Sequence, residues 1–213
     1  MQTISSAIQL INLNLIDRIS DDFSRYFDNC AYLQIYGMKK HHASRLHYDL
    51  RLGWNGVLLS WAIPLGPNYC PKISREAIEV QDHRQKYLRF EGVYAKGKPG
   101  AGVTMLWDEG LWAPLPGYLD VDRALHHGEL RFVLKGGKLL GAWILRRTAS
   151  RDFSGNPIWM LTKERDSYAR CPGDIEIVQE MPNSILDGRS LEDIQREWHE
   201  QHPARVQPTL FEM

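Results

Sequence analysis

The sequence has no surplus charge of either sign: 26 Lys and Arg stand against 26 Asp and Glu in 213 residues. That excludes a polybasic coat drawing in a polyanion at long range, so any contact with nucleic acid has to come from local charge. Cysteine is scarce. Cys30, Cys70 and Cys171 are odd in number and far apart, which fits neither a disulfide framework nor a paired-thiol zinc ribbon and points to a reducing cytoplasm. No stretch reaches the ~20 apolar residues of a membrane-spanning helix. The apolar segment Ile8 to Ile16 has no basic flank before it and is interrupted by Gln9, Asn12 and Asn14, so it does not read as an export signal and the expected location is cytoplasmic, with no membrane association. Repeats and low-complexity tracts are also lacking. What remains is ordinary globular material: 43% hydrophobic and 24% charged residues exclude wholesale disorder.

Ile4, Ala7, Ile8, Ile11, Leu15 and Ile19 recur at helical steps, which predicts a helix over 3–28. From Tyr32 the texture changes to short runs rich in Trp, Tyr, Val and Leu, cut by Gly and Pro. Strands are expected at 32–37, 46–53, 56–62, 76–82, 88–93, 102–107, 129–135, 138–147 and 157–163, with Gly136-Gly137 as a tight hairpin. Short helices are expected at 120–127 and 164–169, and Ser190 before Glu192 and Asp193 reads as an N-cap. Many short strands at this spacing favour a barrel or a sandwich. The expected organisation is an amino-terminal helical segment (1–30), a β domain (31–172), an extension with a helix (173–199) and a flexible tail (200–213).

The densest chemical signal runs from Lys39 to Leu52. On a strand, His47, Asp49 and Arg51 share one face while Leu46, Tyr48, Leu50 and Leu52 share the other, packed one. An imidazole and a carboxylate projecting in parallel can reach one ion, and such a donor set suits Mn²⁺, Zn²⁺ or Fe²⁺. His41 has the parity to add a third ligand, but six extended residues span ~20 Å, so it joins only if the chain bends between His42 and Arg45. Arg51 would then stand beside the metal, ready to fork onto a phosphate. The same spacing is equally that of a surface ladder of cross-strand ion pairs.

Lys40 to Leu52, followed by Gly56 to Pro67, closely resembles the 3′-phosphoesterase domain of bacterial DNA ligase D. Further blocks follow in order: Asp82-His83 with Tyr87, Phe90-Glu91-Gly92-Val93, Gly100-Ala101-Gly102, Trp107-Asp108, Gly128 to Phe132, Lys138 to Trp143 and Trp159 to Lys163, together covering residues 32–170. The resemblance implies a mainly β fold, a compact β-barrel with short flanking helices, here with an extra amino-terminal helix. It implies a metal-dependent phosphoesterase, typically using Mn²⁺, that trims 3′-phosphate or 3′-ribonucleotide ends of DNA or DNA/RNA primer-templates in non-homologous end joining. Carried over by position, it makes His41, His47 and Asp49 the metal ligands. Arg51, Arg75, His83 and Tyr87 contact the scissile phosphate or assist catalysis, His83 as general acid or transition-state stabiliser. By residue type alone, Tyr87 would read as a core aromatic.

The chain departs from the family pattern at Lys39, where the family has Gln, and at Leu65, where it has Lys. Lys39 is a candidate to restore the phosphate-binding charge that Leu65 removes. The family's amino-terminal arm has no match in residues 1–30, so the metal site reads as intact and substrate positioning as altered. No ligase nucleotidyl-lysine motif follows the domain, and the expectation is a stand-alone protein working with a ligase and polymerase in trans. Gln207-Pro208-Thr209-Leu210-Phe211 resembles peptides that dock on the bacterial sliding clamp, with Gln207 as polar anchor and Leu210 and Phe211 as an apolar plug; folding back onto the barrel is the equal alternative. Two rival functions remain: a catalytically degenerate module that holds DNA 3′ ends through Lys39, Arg51 and Arg75 for a ligase in trans, and a small-molecule metalloenzyme in a cupin-like barrel.

Overall fold

The computed structural model describes residues 26–28, 30–95, 97 and 100–203. Nine antiparallel strands form it: β1 (Gln34–His42), β2 (Leu46–Trp54), β3 (Val57–Ile63), β4 (Arg75–Arg84), β5 (Gly92–Tyr94), β6 (Gly102–Pro114), β7 (Glu129–Gly136), β8 (Leu140–Arg151) and β9 (Pro157–Lys163). Their order is β1-β2-β3-β4-β9-β8-β7-β6-β5, and β1 also pairs with β6 from Gln34↔Trp112 to His42↔Val103. That second pairing closes eight strands into a barrel and leaves only the three-residue β5 outside the ring. The fold is therefore the barrel rather than the sandwich.

Alternation along each strand fills the interior. Tyr36 and Met38 from β1, Leu50 and Leu52 from β2, Trp61 and Ile63 from β3 and Ala77 from β4 join Trp112, Phe132, Trp143 and Trp159 in one buried cluster. Trp61 meets Trp159 edge-on, and Trp112 meets Phe132 the same way. Gly136 ends β7 where Tyr36 and Asp108 press against it; a Cβ there would lie 1.9 Å from the Tyr36 hydroxyl, so only glycine lets the Gly136-Gly137 turn pass.

Among the described residues, besides the helical turn at 26–28, three α-helices flank the strands: α1 (Val121–His127), α2 (Ile177–Glu180) and α3 (Leu191–Gln201). Asp120 caps α1 by accepting from Arg123 N at 3.0 Å, and Gly128 ends it in the left-handed region. At α3, Ser190 and Asp193 exchange the reciprocal bonds of a capping box. Residues 164–169 are a turn, not the expected helix. The Asp166 carboxylate accepts from Ala142 N at 2.7 Å, from Tyr168 N at 2.9 Å and from the buried Lys163 ammonium, which fixes the backbone outside helical geometry.

Several strands outrun expectation, β1 and β6 by the most. β1 continues through Lys39-Lys40-His41-His42, where polar side chains hide the strand signal, and β6 runs on past Asp108, which is buried because it accepts from the Tyr36 hydroxyl and from Lys138 N and Leu139 N. β5 is shorter than the expected 88–93, since residues 88–91 follow the 3₁₀ segment Gln85–Tyr87 as a turn and irregular chain before the strand begins at Gly92. The expected helix over 3–28 lies outside the described residues except for its last turn at 26–28, which is helical and buries Phe27. The tail residues Gln207, Leu210 and Phe211 also lie outside the described residues.

Candidate metal centre

The barrel has a second buried layer. On the face of β1 that points away from the core, residues 85–94 fold back against the strand, Leu88 over Gly37 and Phe90 over Lys39. Gly37 marks the seat of this flap: a Cβ there would come within 2.6 Å of Leu88 Cδ1, and Leu88 is itself buried. Beneath and beside the flap is a cavity of about 590 Å³ lined by Lys39, His41, His47, Asp49, Arg51, His83, Tyr87 and Tyr94, with Ala43, Ala62, Val80, Gly100 and Thr104 completing the wall.

The register of one hairpin assembles its chemical end. β1 and β2 pair His41 with His47, Lys39 with Asp49 and Gly37 with Arg51, so the bend at 43–45 that the sequence required brings His41 directly across from His47. The two imidazole rings are 4.8 Å apart between centroids. One ligand atom from each of His41, His47 and Asp49 lies within 4.8 Å of the others, and this group could hold a metal ion. His47 Nε2 is 3.6 Å from Asp49 Oδ1, and Arg51 reaches Asp49 Oδ2 at 3.4 Å.

The donors themselves fit an ion. His41 Nε2 is buried and has no hydrogen-bond partner, an arrangement that is costly unless something else takes its lone pair. His47 Nδ1 sits 3.1 Å from the Arg45 carbonyl, which can only accept, so Nδ1 carries the proton and Nε2 presents its lone pair toward Asp49 and His41. Burial pushes the His41 imidazole below its ordinary pKa, with Asp49 opposing and His47 adding to the shift, which favours the neutral, ligating form.

His83 arrives by a different route. Leu58 pairs with His83 and Ser60 with Val80, so β4 carries one residue more than β3 between these pairs. The bulge flips the alternation, and His83 joins Val80 on the cavity face. Without it His83 would share the face of Arg75, Ala77 and Glu79. Arg75 stays on that core-side face: its guanidinium pairs with Glu176 at 2.5 Å, and it is not among the cavity's lining residues. The resemblance puts Arg75 in the phosphate pocket, whereas its parity with Ala77 and Glu79 on β4 turns it to the core side, before the bulge is reached. Leu65 is 65% exposed in the turn after β3 and also lies outside the cavity wall.

Lys39 is buried at the cavity floor, donating to the Phe90 carbonyl; burial, reinforced by the Arg51 cation, pulls its pKa down to about 8. Tyr87 lines the cavity while remaining 44% exposed, so it is a wall residue rather than a core aromatic. Burial first, and then Arg51, holds the His83 pKa below its ordinary value. Two residues at the site escaped the sequence reading, Ser60 beside His83 and Tyr94 in the cavity wall. Ser60 spends its only proton on the Leu58 carbonyl at 2.8 Å and so accepts from His83 Nδ1 at 3.1 Å. Its signal was its place opposite the core-facing Trp61, on the same side as Ala62. Tyr94 packs against Phe90 at a 40° tilt with 4.8 Å between centroids, and its signal was the recurrence of aromatics at 87, 90 and 94 beside Arg and Lys.

Comparison with known proteins places this arrangement. The family described as DNA Ligase D 3′-phosphoesterase domain matches residues 39–147. The multifunctional non-homologous end joining protein LigD of Pseudomonas aeruginosa is 43% identical over 156 residues, 73% of this chain and 18% of that protein. The corresponding DNA repair protein of Mycobacterium tuberculosis is 38% identical over 111 residues (52% of this chain, 14% of that protein), and that of Mycolicibacterium smegmatis 35% over 141 residues (64% and 18%). The chain thus spans less than a fifth of the length of these relatives.

Proposed function

The chain belongs to the DNA ligase D 3′-phosphoesterase domain family, and we propose that it hydrolyses phosphate esters at DNA 3′ ends, removing a 3′-phosphate or a 3′-ribonucleotide during end joining. The observation that carries this reading is the convergence of His41, His47 and Asp49, with an orphaned His41 Nε2, in a cavity that also holds Arg51, Lys39 and His83. Two imidazoles and one carboxylate would hold a divalent ion, Mn²⁺ being the one proposed. When bound, such an ion lowers the pKa of water and neutralises charge building on a phosphate.

The remaining side chains divide the work. Arg51, fixed by Asp49 and with its Nε unpartnered, presents donors to non-bridging phosphate oxygens. Lys39, with a pKa of about 8, is mostly charged at neutral pH and adds a cation where the sequence has lost one at Leu65. His83 is neutral in the free enzyme, with Nδ1 committed to Ser60 and Nε2 open. A phosphate dianion beside it reverses the bias set by burial and Arg51, so His83 takes up a proton as substrate binds and holds it against the phosphate or the leaving oxygen. Tyr87 bonds the phosphate from the flap side. The product 3′-hydroxyl is the group that a polymerase extends or a ligase seals, so the reaction precedes those steps.

The test is a labelled primer-template ending in a 3′-phosphate or in one ribonucleotide, incubated with Mn²⁺ and either the wild-type protein or His47→Ala. Trimming that depends on metal, and falls in the variant by at least the ~10²-fold typical of losing a catalytic group, supports the reading. Equal trimming by the variant, or no trimming of either end with 3′-phosphate binding retained in both proteins, overturns it, and the second outcome leaves an end-binding module.

A further inference from the structure

The cavity is larger than a phosphate needs. At about 590 Å³ it falls in the size range that accepts a whole small ligand, ~300–1,000 Å³. Its metal-ligating end is polar, but the side formed by the flap is aromatic, carrying Tyr87 and the half-buried Tyr94. Phe90 backs Tyr94 from behind, which holds the ring in place.

Outside this aromatic wall the lip is cationic. The Lys86 ammonium lies 5.0 Å from the Tyr87 ring centre, so the charge begins where the wall ends. Arg84 and Lys86 are exposed and have no carboxylate partner among the described residues. The neighbouring charges are turned elsewhere. Arg89 pairs with Glu109 at 3.0 Å. Glu91 is tucked behind the flap, accepting from Leu106 N at 2.9 Å and Ser184 at 2.6 Å and pairing with Arg189 at 3.2 Å. Asp82, on the strand leading into the lip, lines a separate small cavity with Glu79. In a chain with no net charge, this leaves Lys86 as an unneutralised cation against the exposed Tyr87 ring, with the exposed Arg84 two residues before it and the half-buried Tyr94 in the same cavity wall as Tyr87.

We propose that the lip formed by residues 84–94 grips the strand whose 3′ end enters the cavity: Tyr94 receives the terminal nucleoside by stacking, and Arg84 and Lys86 take upstream phosphates. This rests on the DNA-end reading above and deepens it by assigning the strand-binding surface. Ring stacking is tolerant of base identity because every base has a π face, and cations beside such rings follow the backbone, so the surface suits an end of any sequence.

Binding without hydrolysis tests it. A fluorescent primer-template ending in a 3′-hydroxyl is titrated with the full chain in EDTA at several salt concentrations and read by anisotropy. Arg84→Gln with Lys86→Gln removes two phosphate contacts, so the slope of log affinity against log salt becomes shallower by about 1.4–1.8. Tyr94→Leu weakens binding about 5- to 150-fold with the slope unchanged, while Tyr94→Trp preserves it. Thermal melting of each variant confirms folding, and the exposed Arg84 and Lys86 pair keeps the test informative if Tyr94→Leu melts early. Parallel salt slopes, unchanged affinity in Tyr94→Leu, or no binding by the wild-type protein each overturn the assignment. Hydrolysis lost on His47→Ala alongside unaltered binding in the lip variants would sink the grip alone. Binding that follows the predicted pattern without any hydrolysis would sink only the enzymatic reading.

Discussion

Ser60 decides which nitrogen of His83 carries the proton. Because its hydroxyl donates to Leu58, it can offer His83 only a lone pair, and the imidazole must present Nε2 to the cavity. Ser60→Ala removes that constraint without touching the metal ligands. The expected result is a fall in kcat of roughly 10- to 100-fold, as small misplacements of a reacting group produce, with Mn²⁺ affinity unchanged. Steady-state kinetics together with metal titration checks it, and Ser60→Thr, which keeps the oxygen, retains most of the activity. At this scale the sequence was informative wherever alternation alone set the position. His47, Asp49 and Arg51 share a face because β2 is regular over its whole length. The resemblance groups Arg75 with His83, yet they lie on opposite faces of β4, because the extra residue between them, which has no signature in hydrophobic pattern, turns His83 alone toward the cavity.

The flap depends on an exact fit between elements. Leu88 sits over the bare backbone of Gly37, and Glu91 anchors the flap's base to Ser184 and Arg189 of the segment leading into α3. A larger residue at position 37 lifts the flap while leaving the β1–β2 register intact. Gly37→Val is therefore expected to destabilise the fold by about 1–3 kcal/mol, the usual cost of overpacking. It also weakens binding of the DNA end more than binding of Mn²⁺. Chemical denaturation and separate titrations of metal and primer-template measure the two effects. The helix caps at Asp120 and Ser190 were legible because a cap is a local pattern. The flap was not, since nothing in residues 85–94 announces which strand it will fold against, and the turn at 164–169 was misread because Asp166 finds partners on β8 and β9 that are distant or invisible in sequence.

For the molecule as a whole, the zero net charge conceals a buried layer of ionisable groups that responds to pH. His41 and His83 have pKa values below the ordinary 6.5 because burial disfavours their charged forms. As pH falls through 6.5 the unfolded chain takes up protons that the folded protein refuses, so stability declines from there until the folded values are reached. Thermal melting between pH 7.5 and 5 should show the midpoint falling over the acid half of the range. Mn²⁺ should raise the midpoint at pH 7.5 more than at pH 5, because protons and metal compete for the same nitrogens. The number and spacing of strands made an all-β fold foreseeable while leaving barrel and sandwich open, and the barrel was implied by the family resemblance. Its closure was not legible from strand spacing, because the β1–β6 pairing joins segments that share no local pattern.

That closure also separates two kinds of assembly in time. His41, His47 and Asp49 belong to one hairpin, joined by a three-residue connection, and hairpins form in ~1–10 μs. The joining of β1 to β6, Tyr36 with Gly110 among its pairs, is a long-range contact of the kind that slows folding. The ligand trio is thus available from a local, early-forming unit, while the flap, the aromatic lip and His83 take their places only once distant strands have met. A nascent chain would accordingly be able to sequester metal before it has any cavity in which to use it.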